Sequence, residues 1–361
     1  MTIADLRADL DAGSVINETA RDSVISRLVE RVAARGDSTL DVLVLSGGGQ
    51  HGAFGAGFLA GWSARTDAPM PRFDVVTGVS TGALLAPFAF IGTPEALSTV
   101  AALYRDPDAI MPEKDAFGAV FRGTGALFNV SSLKATIEEV VNAEMVGAIL
   151  AECAQGRQLL VGSTDLDIGR GRVWNVAAEI DTSAAGVQRL RGLLLASVAI
   201  PGAFPPVMID GHYHADGGIT TNLLAGDLVF YRDLARALGV HRTAGRVTVR
   251  LWVIVNMTLG PGPEVVDVDD ALAISARAMI LLFKLNQQQT LMRFWEICEA
   301  VNAGVERLAI EMHYTAIPDA WNDEPGAMEL FNEAYMNRLQ DFGNELAKSA
   351  NPWATLPPGP F

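Results

Sequence analysis

The pentapeptide Gly78–Gly82, with the sequence Gly-Val-Ser-Thr-Gly, constrains the fold of this 361-residue chain more than any other feature. It follows the apolar run Phe73–Val76, and small residues on both sides of a serine predict a sharp turn from a strand into a helix. Gly78 and Gly82 would be needed because a Cβ at either position would clash with neighbouring backbone. Such a turn holds Ser80 out towards a substrate, so Ser80 is the candidate nucleophile. The alternative is a glycine–serine loop without a chemical role.

A second strand–loop–helix pattern lies upstream of the first. Asp41–Leu45 predicts a buried strand, Ser46–Gly52 contains three consecutive glycines, and the segment from Ala53 onward predicts a helix. A glycine loop before a helix can offer backbone N–H groups to an anion, so a phosphate loop, an oxyanion hole and a structural turn are all open. The chain lacks the Gly-x-Gly-x-x-Gly order and has no Gly-Lys-Ser/Thr after the glycines, which favours the oxyanion hole. The predicted donors are the N–H groups of Gly47, Gly48 and Gly49.

The segment Asp210–Gly218 predicts a tight turn, a short strand and then a glycine turn that starts at Asp216. An aspartate before Gly217 and Gly218 is commonly only a turn residue, because its side chain caps its own backbone and glycine adopts positive φ. In a chain that also has a serine elbow and a glycine loop, Asp216 becomes the candidate base.

In order and spacing, these motifs resemble those of the patatin-like phospholipase family, whose members share a glycine-rich oxyanion loop, a Gly-x-Ser-x-Gly elbow and an Asp-Gly-Gly or Asp-Gly-Ala segment. Ala196–Pro206 is similar to the segment that the family carries just before its catalytic aspartate. The resemblance covers roughly Asp41 to Asn222, and the strand-like Arg246–Val255 is expected to belong to the same core.

The resemblance implies a serine hydrolase that cleaves carboxylic ester bonds of lipids, as a phospholipase A, a lysophospholipase or an esterase does. It assigns Ser80 as nucleophile, Asp216 as general base and the three loop glycines as oxyanion donors, and it requires no histidine, metal or cofactor. The intermediate would be an acyl-enzyme. A carboxylate base should place the acid limb of kcat/KM below about pH 6, whereas a histidine base would place it near roughly 6.5 to 7.

One position departs from the family. Its members usually have Lys or Arg two residues after the third glycine, and here His51 follows Gln50. A histidine near its ordinary pKa is mostly neutral at pH 7, so any help that it gives to an oxyanion would depend on pH. The other interpretation of His51 is a polar loop residue without a part in the chemistry.

Other functions remain open. A Ser-His-Asp esterase or thioesterase needs a histidine after the elbow in the chain, and His313 fits that order, although it leaves the glycine loop and the Asp216 turn unexplained. A non-catalytic binding protein on the same fold is expected to lack the nucleophile or the base, and both are present here. A nucleotide-binding protein would need a phosphate-binding lysine after the glycines.

Parallel strands that precede helices predict a three-layer α/β/α sandwich, with a mainly parallel central sheet and the site at the carboxyl ends of its strands. The resemblance implies the patatin-like form of this architecture. We expect an N-terminal helical segment over 1–38, a catalytic core over 39–260 and a helical C-terminal extension over 261–361, packed on the core. Phe117–Phe128 predicts a flap over the site.

The net charge of −15 at pH 7 makes long-range attraction to nucleic acid or to anionic lipid unfavourable. The partner that the resemblance implies is a lipid or a small ester. Membrane contact would have to be apolar, and its candidate is the helical stretch Ala276–Leu285. A core or dimer helix is the favoured alternative, because apolar helices are more often buried than interfacial. Cys153 and Cys298 predict buried, reduced thiols. No signal peptide is visible, which predicts a cytoplasmic protein, or an exported protein or lipoprotein whose signal has been removed. The sequence predicts no oligomeric state.

Overall fold

The computed structural model describes residues 2–106, 113–114, 128–240, 245–267, 269–327, 329 and 331–355. Apart from Phe128, the flap predicted at Phe117–Phe128 lies outside the described residues. The helices described are α1 Ile3–Arg35, α2 Gly52–Ser63, α3 Thr81–Ile91, α4 Pro94–Arg105, α5 Ser131–Val140, α6 Ala143–Cys153, α7 Val176–Glu179, α8 Ala184–Ser197, α9 Leu228–Val240, α10 Ala271–Gly304 and α11 Glu333–Lys348. The strands described are β1 Thr39–Leu45, β2 Val75–Val79, β3 Glu113–Lys114, β4 Phe128–Asn129, β5 Gln158–Asp165, β6 Arg170–Asn175, β7 Val207–Ile209, β8 His212–Asp216, β9 Val247–Thr258 and β10 Leu308–Ile317.

Eight of these strands form one mixed sheet in the order β10-β9-β1-β2-β5-β8-β7, with β6 also paired to β5. The run from β10 to β5 is parallel, whereas β5 pairs antiparallel with both β6 and β8, and β8 pairs antiparallel with β7. The predicted mainly parallel sheet is therefore confirmed. Its antiparallel end contains the segment that leads into Asp216.

Helices cover both faces of the sheet, which confirms the three-layer α/β/α class. Alternation along β1 sends Leu43 and Leu45 to one apolar core, which contains α2, α3, α4, α6, α8 and α11. The same alternation sends Leu40, Val42 and Val44 to a second core, which contains α1, α9 and α10. The site that these strands position lies where the parallel strands end, between the two helical layers.

Beyond residue 260 the chain is helical in α10 and α11, but it also forms β10, a ten-residue strand at one edge of the central sheet. This strand was not predicted from the sequence, and it means that part of the C-terminal segment belongs to the same sheet as the core. The division into three segments stays a prediction.

Cys153 and Cys298 are buried free thiols. Within the described residues, no helix combines the length and the apolar character that crossing a bilayer requires.

A buried carboxylate fastens α1 to the sheet. Asp74 is fully buried just before β2, and its Oδ1 accepts hydrogen bonds from Arg31 and, at 2.8 Å, from Arg35. Its Oδ2 accepts from the backbone N–H of Asp41 at 2.8 Å. Helix α1 is thereby joined to the starts of β1 and β2.

We expect Asp74→Ala to destabilise the protein by about 3–5 kcal/mol, because it leaves two arginines and a buried N–H without their acceptor. Urea unfolding followed by circular dichroism would measure the loss. The matched control is Asp341→Ala, which removes an exposed ion pair with Arg105 and should change stability little. Equal effects from the two variants would contradict the structural role given to Asp74.

Candidate active site

Ser80 connects β2 to α3 in a conformation that most residues avoid. Its φ of 53° and ψ of −128° cost on the order of 1–3 kcal/mol for a residue with a side chain. A Cβ on Gly78 would lie 2.3 Å from the carbonyl oxygen of Gly82, and one on Gly82 would lie 2.3 Å from that of Leu45. The predicted elbow is therefore present, and its glycines are required by close backbone approach.

The segment before Asp216 holds the elbow in place. The Ser80 N–H donates to Ser197 Oγ at 2.9 Å, and that hydroxyl donates to the carbonyl oxygen of Gly162 at 2.6 Å. The carbonyl oxygen of Ala199 accepts from the Asp216 N–H at 2.9 Å. One short segment thus contacts the backbone of both candidate catalytic residues.

Strand pairing brings Asp216 to Ser80. Residues 160–162 of β5 pair with β2 on one edge and with β6 on the other, and residues 163–165 pair with β6 and β8. Strand β8 therefore lies on the same edge as β2 and continues beyond its end. Val79 pairs with Gly162 and Asp216 pairs with Ser163, the next residue, so Asp216 lies beside Ser80.

The Asp216 carboxyl is 2% exposed and only partly satisfied. Its Oδ1 accepts from the Gly218 N–H at 2.8 Å, while Oδ2 is buried and has no hydrogen-bond partner in the described part of the chain. Burial raises the pKa of Asp216 to about 7, against the smaller lowering effects of the Ser80 hydroxyl and the Gly218 N–H. The Ser80 hydroxyl is thus close enough to influence the pKa of the Asp216 carboxyl. The two groups do not meet the geometry of a hydrogen bond.

The glycine loop packs against both β9 and the elbow. A Cβ on Gly48 would lie 1.8 Å from the carbonyl oxygen of Asn256, and one on Gly47 would lie 2.8 Å from Ser80 Cβ. Asn256 also secures the loop from β9, because its N–H donates to Ser46 Oγ and its Nδ2 to Ser46 O, each at 2.8 Å. The loop is therefore held against the elbow by contacts in which glycine is the residue that fits.

The three predicted oxyanion donors are not equivalent. The Gly47 N–H donates to Asn222 Oδ1 at 2.9 Å, so it is already used in holding the loop. Asn222 is held in turn by its Nδ2, which donates to Gln287 Oε1 at 2.8 Å. Over the described residues, the N–H groups of Gly48 and Gly49 make no hydrogen bond, and they stay the predicted donors.

His51 is a neutral, structurally engaged residue. Its Nδ1–H donates to the carbonyl oxygen of Gly48 at 2.9 Å, and its ring meets Tyr335 edge-on at 5.7 Å. Burial lowers the pKa of His51 to about 4, so it carries no charge at pH 7. These contacts support the interpretation of His51 as a loop residue.

Helix α10 covers the site and contributes a buried cation that the sequence reasoning missed. The Phe283 ring lies 2.9 Å from the position that a Cβ on Gly218 would take. The neighbouring Lys284 is 7% exposed, and its Nζ donates to Thr258 Oγ1 at 2.7 Å and to Asn322 Oδ1 at 2.9 Å. Burial lowers the pKa of Lys284 to about 8.

The missed residues have a common signal, since each is a polar side chain inside or next to an apolar run. Asn256 lies within β9 and follows the apolar run Leu251–Val255, and Lys284 is flanked by Phe283 and Leu285. A buried polar residue in such a run needs a partner, and here the partners lie far away in the chain.

The histidine of the rival triad lies away from the elbow. His313 is on β10, three strands from β2, and at about 4.8 Å per strand this separates it from the Ser80 strand by roughly 14 Å. Its ring stacks on Trp252 with the centroids 4.4 Å apart. Among the described residues, no histidine hydrogen-bonds to Ser80 or to Asp216, and no group of acidic, His and Cys side chains is placed to hold a metal ion.

Comparison with known proteins gave one family. The family model described as patatin-like phospholipase matches residues 43–229, just over half of the chain. Among solved structures, the crystal structure of VipD from Legionella pneumophila aligns over 86% of this chain and 67% of its own, with 13% sequence identity and a TM-score of 0.36. The search of curated proteins gave no match.

We expect Gly48→Ala to lower the thermal midpoint sharply or to prevent folding, because the new Cβ would lie 1.8 Å from a backbone carbonyl that cannot move aside. Gly147→Ala is the matched control. Its Cβ would meet nothing within 4 Å on helix α6, so it should raise stability slightly. Differential scanning fluorimetry would compare them, and an unaffected Gly48→Ala protein would contradict the loop geometry.

Proposed function

Because the chain belongs to the patatin-like phospholipase family, we propose that it hydrolyses carboxylic esters of lipids through a dyad of Ser80 and Asp216. The observation that carries this proposal is the register of β5, which sets Asp216 beside the strained Ser80 at the end of β2. Phospholipase A, lysophospholipase and esterase activities all use this bond type, and each fits the proposal.

In the proposed reaction, Ser80 Oγ attacks the ester carbonyl carbon while the Asp216 carboxylate accepts its proton. The carbonyl oxygen becomes an oxyanion, and the N–H groups of Gly48 and Gly49 bind it, each contributing about 3–4 kcal/mol. Collapse expels the alcohol, which takes the proton from Asp216 and leaves an acyl-enzyme. Asp216 then accepts a proton from water, and the resulting attack releases the fatty acid and restores Ser80.

The environment of Asp216 suits a base that works near neutral pH. An ordinary aspartate, with a pKa of about 3.9, is a weak base, whereas a pKa of about 7 matches the proton transfer to the operating pH. Because Asp216 Oδ2 accepts no hydrogen bond, it is free to accept the proton of the Ser80 hydroxyl. With this pKa the acid limb is expected near pH 7 and not below about 6. It then coincides with the limb expected of a histidine base, so variants of Asp216 and His313, and not the pH profile, separate the two bases.

Apolar residues beside the site support contact with a lipid surface. Leu282 and Leu285 on α10 are 64% and 44% exposed, and they flank the Phe283 that covers Gly218. The protein is strongly acidic overall, so such contact would rest on apolar burial and not on charge. The Phe283 ring packs against Gly218, so we assign Phe283 to the candidate active site and not to the lipid contact.

We expect Ser80→Ala to lower ester hydrolysis at least a thousandfold, because the covalent step needs that oxygen. A fluorophosphonate probe should label the wild-type protein at Ser80 alone, as mass spectrometry of the labelled peptide would show. Residual activity above about a thousandth, or labelling at another residue, would remove Ser80 from the mechanism.

Asp216→Asn should cost as much activity as Ser80→Ala, because an amide accepts no proton and members of one catalytic unit are not additive. In the wild type, kcat/KM should fall as the pH drops through about 7, where Asp216 becomes protonated. His313→Gln is the control and should retain activity. A loss with His313→Gln as large as that with Ser80→Ala, in a folded protein, would favour the triad.

Stability gives a second measurement on Asp216. Its folded pKa lies above its unfolded value of about 3.9, so its contribution to stability is present below about pH 4 and is lost as the pH rises through about 7. Asp216→Asn should therefore be at least as stable as the wild type at pH 8, as thermal unfolding would show. A strong destabilisation there would indicate a structural role for the carboxylate.

Leu282→Asn should reduce hydrolysis of phosphatidylcholine vesicles several-fold and leave hydrolysis of p-nitrophenyl butyrate unchanged, because an interfacial side chain acts only where there is an interface. Val240→Asn, which changes an exposed valine on α9, is the matched control. Equal losses on both substrates would instead indicate that Leu282 supports the fold.

A further inference from the structure

A second candidate binding site lies on the face of the sheet that α1, α9 and α10 cover. A cavity of about 730 Å³ separates these helices from the strands. This volume is in the range of sites that bind small molecules, about 300–1,000 Å³. Neither Ser80 nor Asp216 lines it, so it is distinct from the candidate active site.

The lining of the cavity extends across five strands of the sheet. The cavity takes lining residues from β9, β1, β2, β5 and β6, which are successive neighbours in the sheet. Four strand spacings of about 4.8 Å give a length of roughly 19 Å. An extended chain of tetrahedral atoms advances about 1.2 Å per bond, as an extended backbone does, so a chain of about 16 bonds would fill this length.

The sheet side of the cavity is mostly apolar and two polar groups of its lining are already paired, while the helical side also carries polar residues. Val42, Val75 and Leu160 supply side chains from the sheet. The Thr77 hydroxyl donates to the carbonyl oxygen of Leu224 at 2.7 Å, and the Tyr231 hydroxyl donates to that of Ala225 at 2.5 Å. The interior therefore favours a hydrocarbon chain over a sugar or a nucleotide, whose polar groups would lose their hydrogen bonds.

Two cations line the same cavity. Arg293 on α10 is exposed. Arg21 on α1 lies 3.7 Å from Asp22 and 3.5 Å from Asp233 by its nearest nitrogens, yet its buried Nε makes no hydrogen bond among the described residues. Asp227 also lines the cavity, but its Oδ1 is engaged, since it accepts from the Phe230 N–H at 2.8 Å. In a chain of net charge −15, arginines in this position are complementary to an anionic head group.

We propose that this cavity binds a free long-chain fatty acid, with the tail across β1, β2 and β5 and the carboxylate at Arg21 and Arg293. The chemistry required is an unbranched acyl chain of about 16 carbons with one carboxylate, which follows from the length, the mostly apolar sheet side and the two cations. The same acyl chain could also come from a bound ester substrate, and the experiment distinguishes the two sources.

The test is calorimetric titration of Ser80→Ala protein with laurate, myristate and palmitate below their micellar concentrations. Because this protein lacks the nucleophile, the result does not depend on the proposed hydrolysis. Affinity should rise about fourfold for each methylene added, up to about 16 carbons. Leu160→Phe narrows the cavity and should weaken palmitate binding at least tenfold, whereas Leu160→Ala leaves it open and should retain binding.

The head group is tested with the double variant Arg21→Gln and Arg293→Gln. Binding of palmitate should fall at least tenfold while binding of uncharged hexadecanol is unchanged, and Arg232→Gln, an exposed arginine on α9 that does not line the cavity, should have no effect. Absence of saturable binding, or binding that neither Leu160→Phe nor the double arginine variant weakens, would overturn the proposal. In wild-type protein, palmitate as a reaction product is expected to compete with p-nitrophenyl butyrate at the active site, and Leu160→Phe should leave that competition unchanged. Loss of the competition in Leu160→Phe would overturn the proposal and assign the cavity to the acyl chain of the substrate.

Discussion

The pairing of β5 is the constraint on which the rest of the site depends. This strand holds β2 along its first half and β8 along its last residues, both on one edge. The end of a parallel strand, which carries Ser80, and the end of an antiparallel one, which carries Asp216, therefore meet at consecutive positions of β5. A shift of one residue would turn the Asp216 side chain to the other face of the sheet, because side chains alternate along a strand.

That arrangement places two unfavourable features side by side, and the surrounding contacts hold them there. Ser80 has a strained backbone, and Asp216 is a buried carboxyl with one oxygen unpaired. Ser197 fixes the elbow N–H, while Asn222 fixes the glycine loop from the segment that follows Asp216. Strain and desolvation of this kind persist where the local packing determines the conformation completely, and they are typical of sites that carry chemistry.

The local parts of this site could be predicted from the sequence, and the distant partners could not. Ser80, Asp216 and the glycines occur in short motifs whose residue types are dictated by turn geometry and close backbone approach. Asn222 and Lys284 form hydrogen bonds with residues that are distant from them in the sequence. No motif of fixed spacing therefore identifies them. Strand β10 was missed for a related reason, since its pairing with β9 is a tertiary contact, and the raised pKa of Asp216 depends on burial that only the fold supplies.

The segment between Asp216 and α9 links the two sites of the molecule. Near its start, Gly217 and Gly218 turn the chain past the carboxyl of Asp216, and Asn222 reaches back to the glycine loop. From Thr220 to Asp227 the same segment lines the cavity against α9 and α10. A shift of this segment on binding in the cavity would therefore reach the backbone beside Asp216 and the contact of Asn222 with the glycine loop. The segment is closely packed there, because a Cβ on Gly217 or Gly218 would lie 2.6 or 2.9 Å from a neighbouring atom.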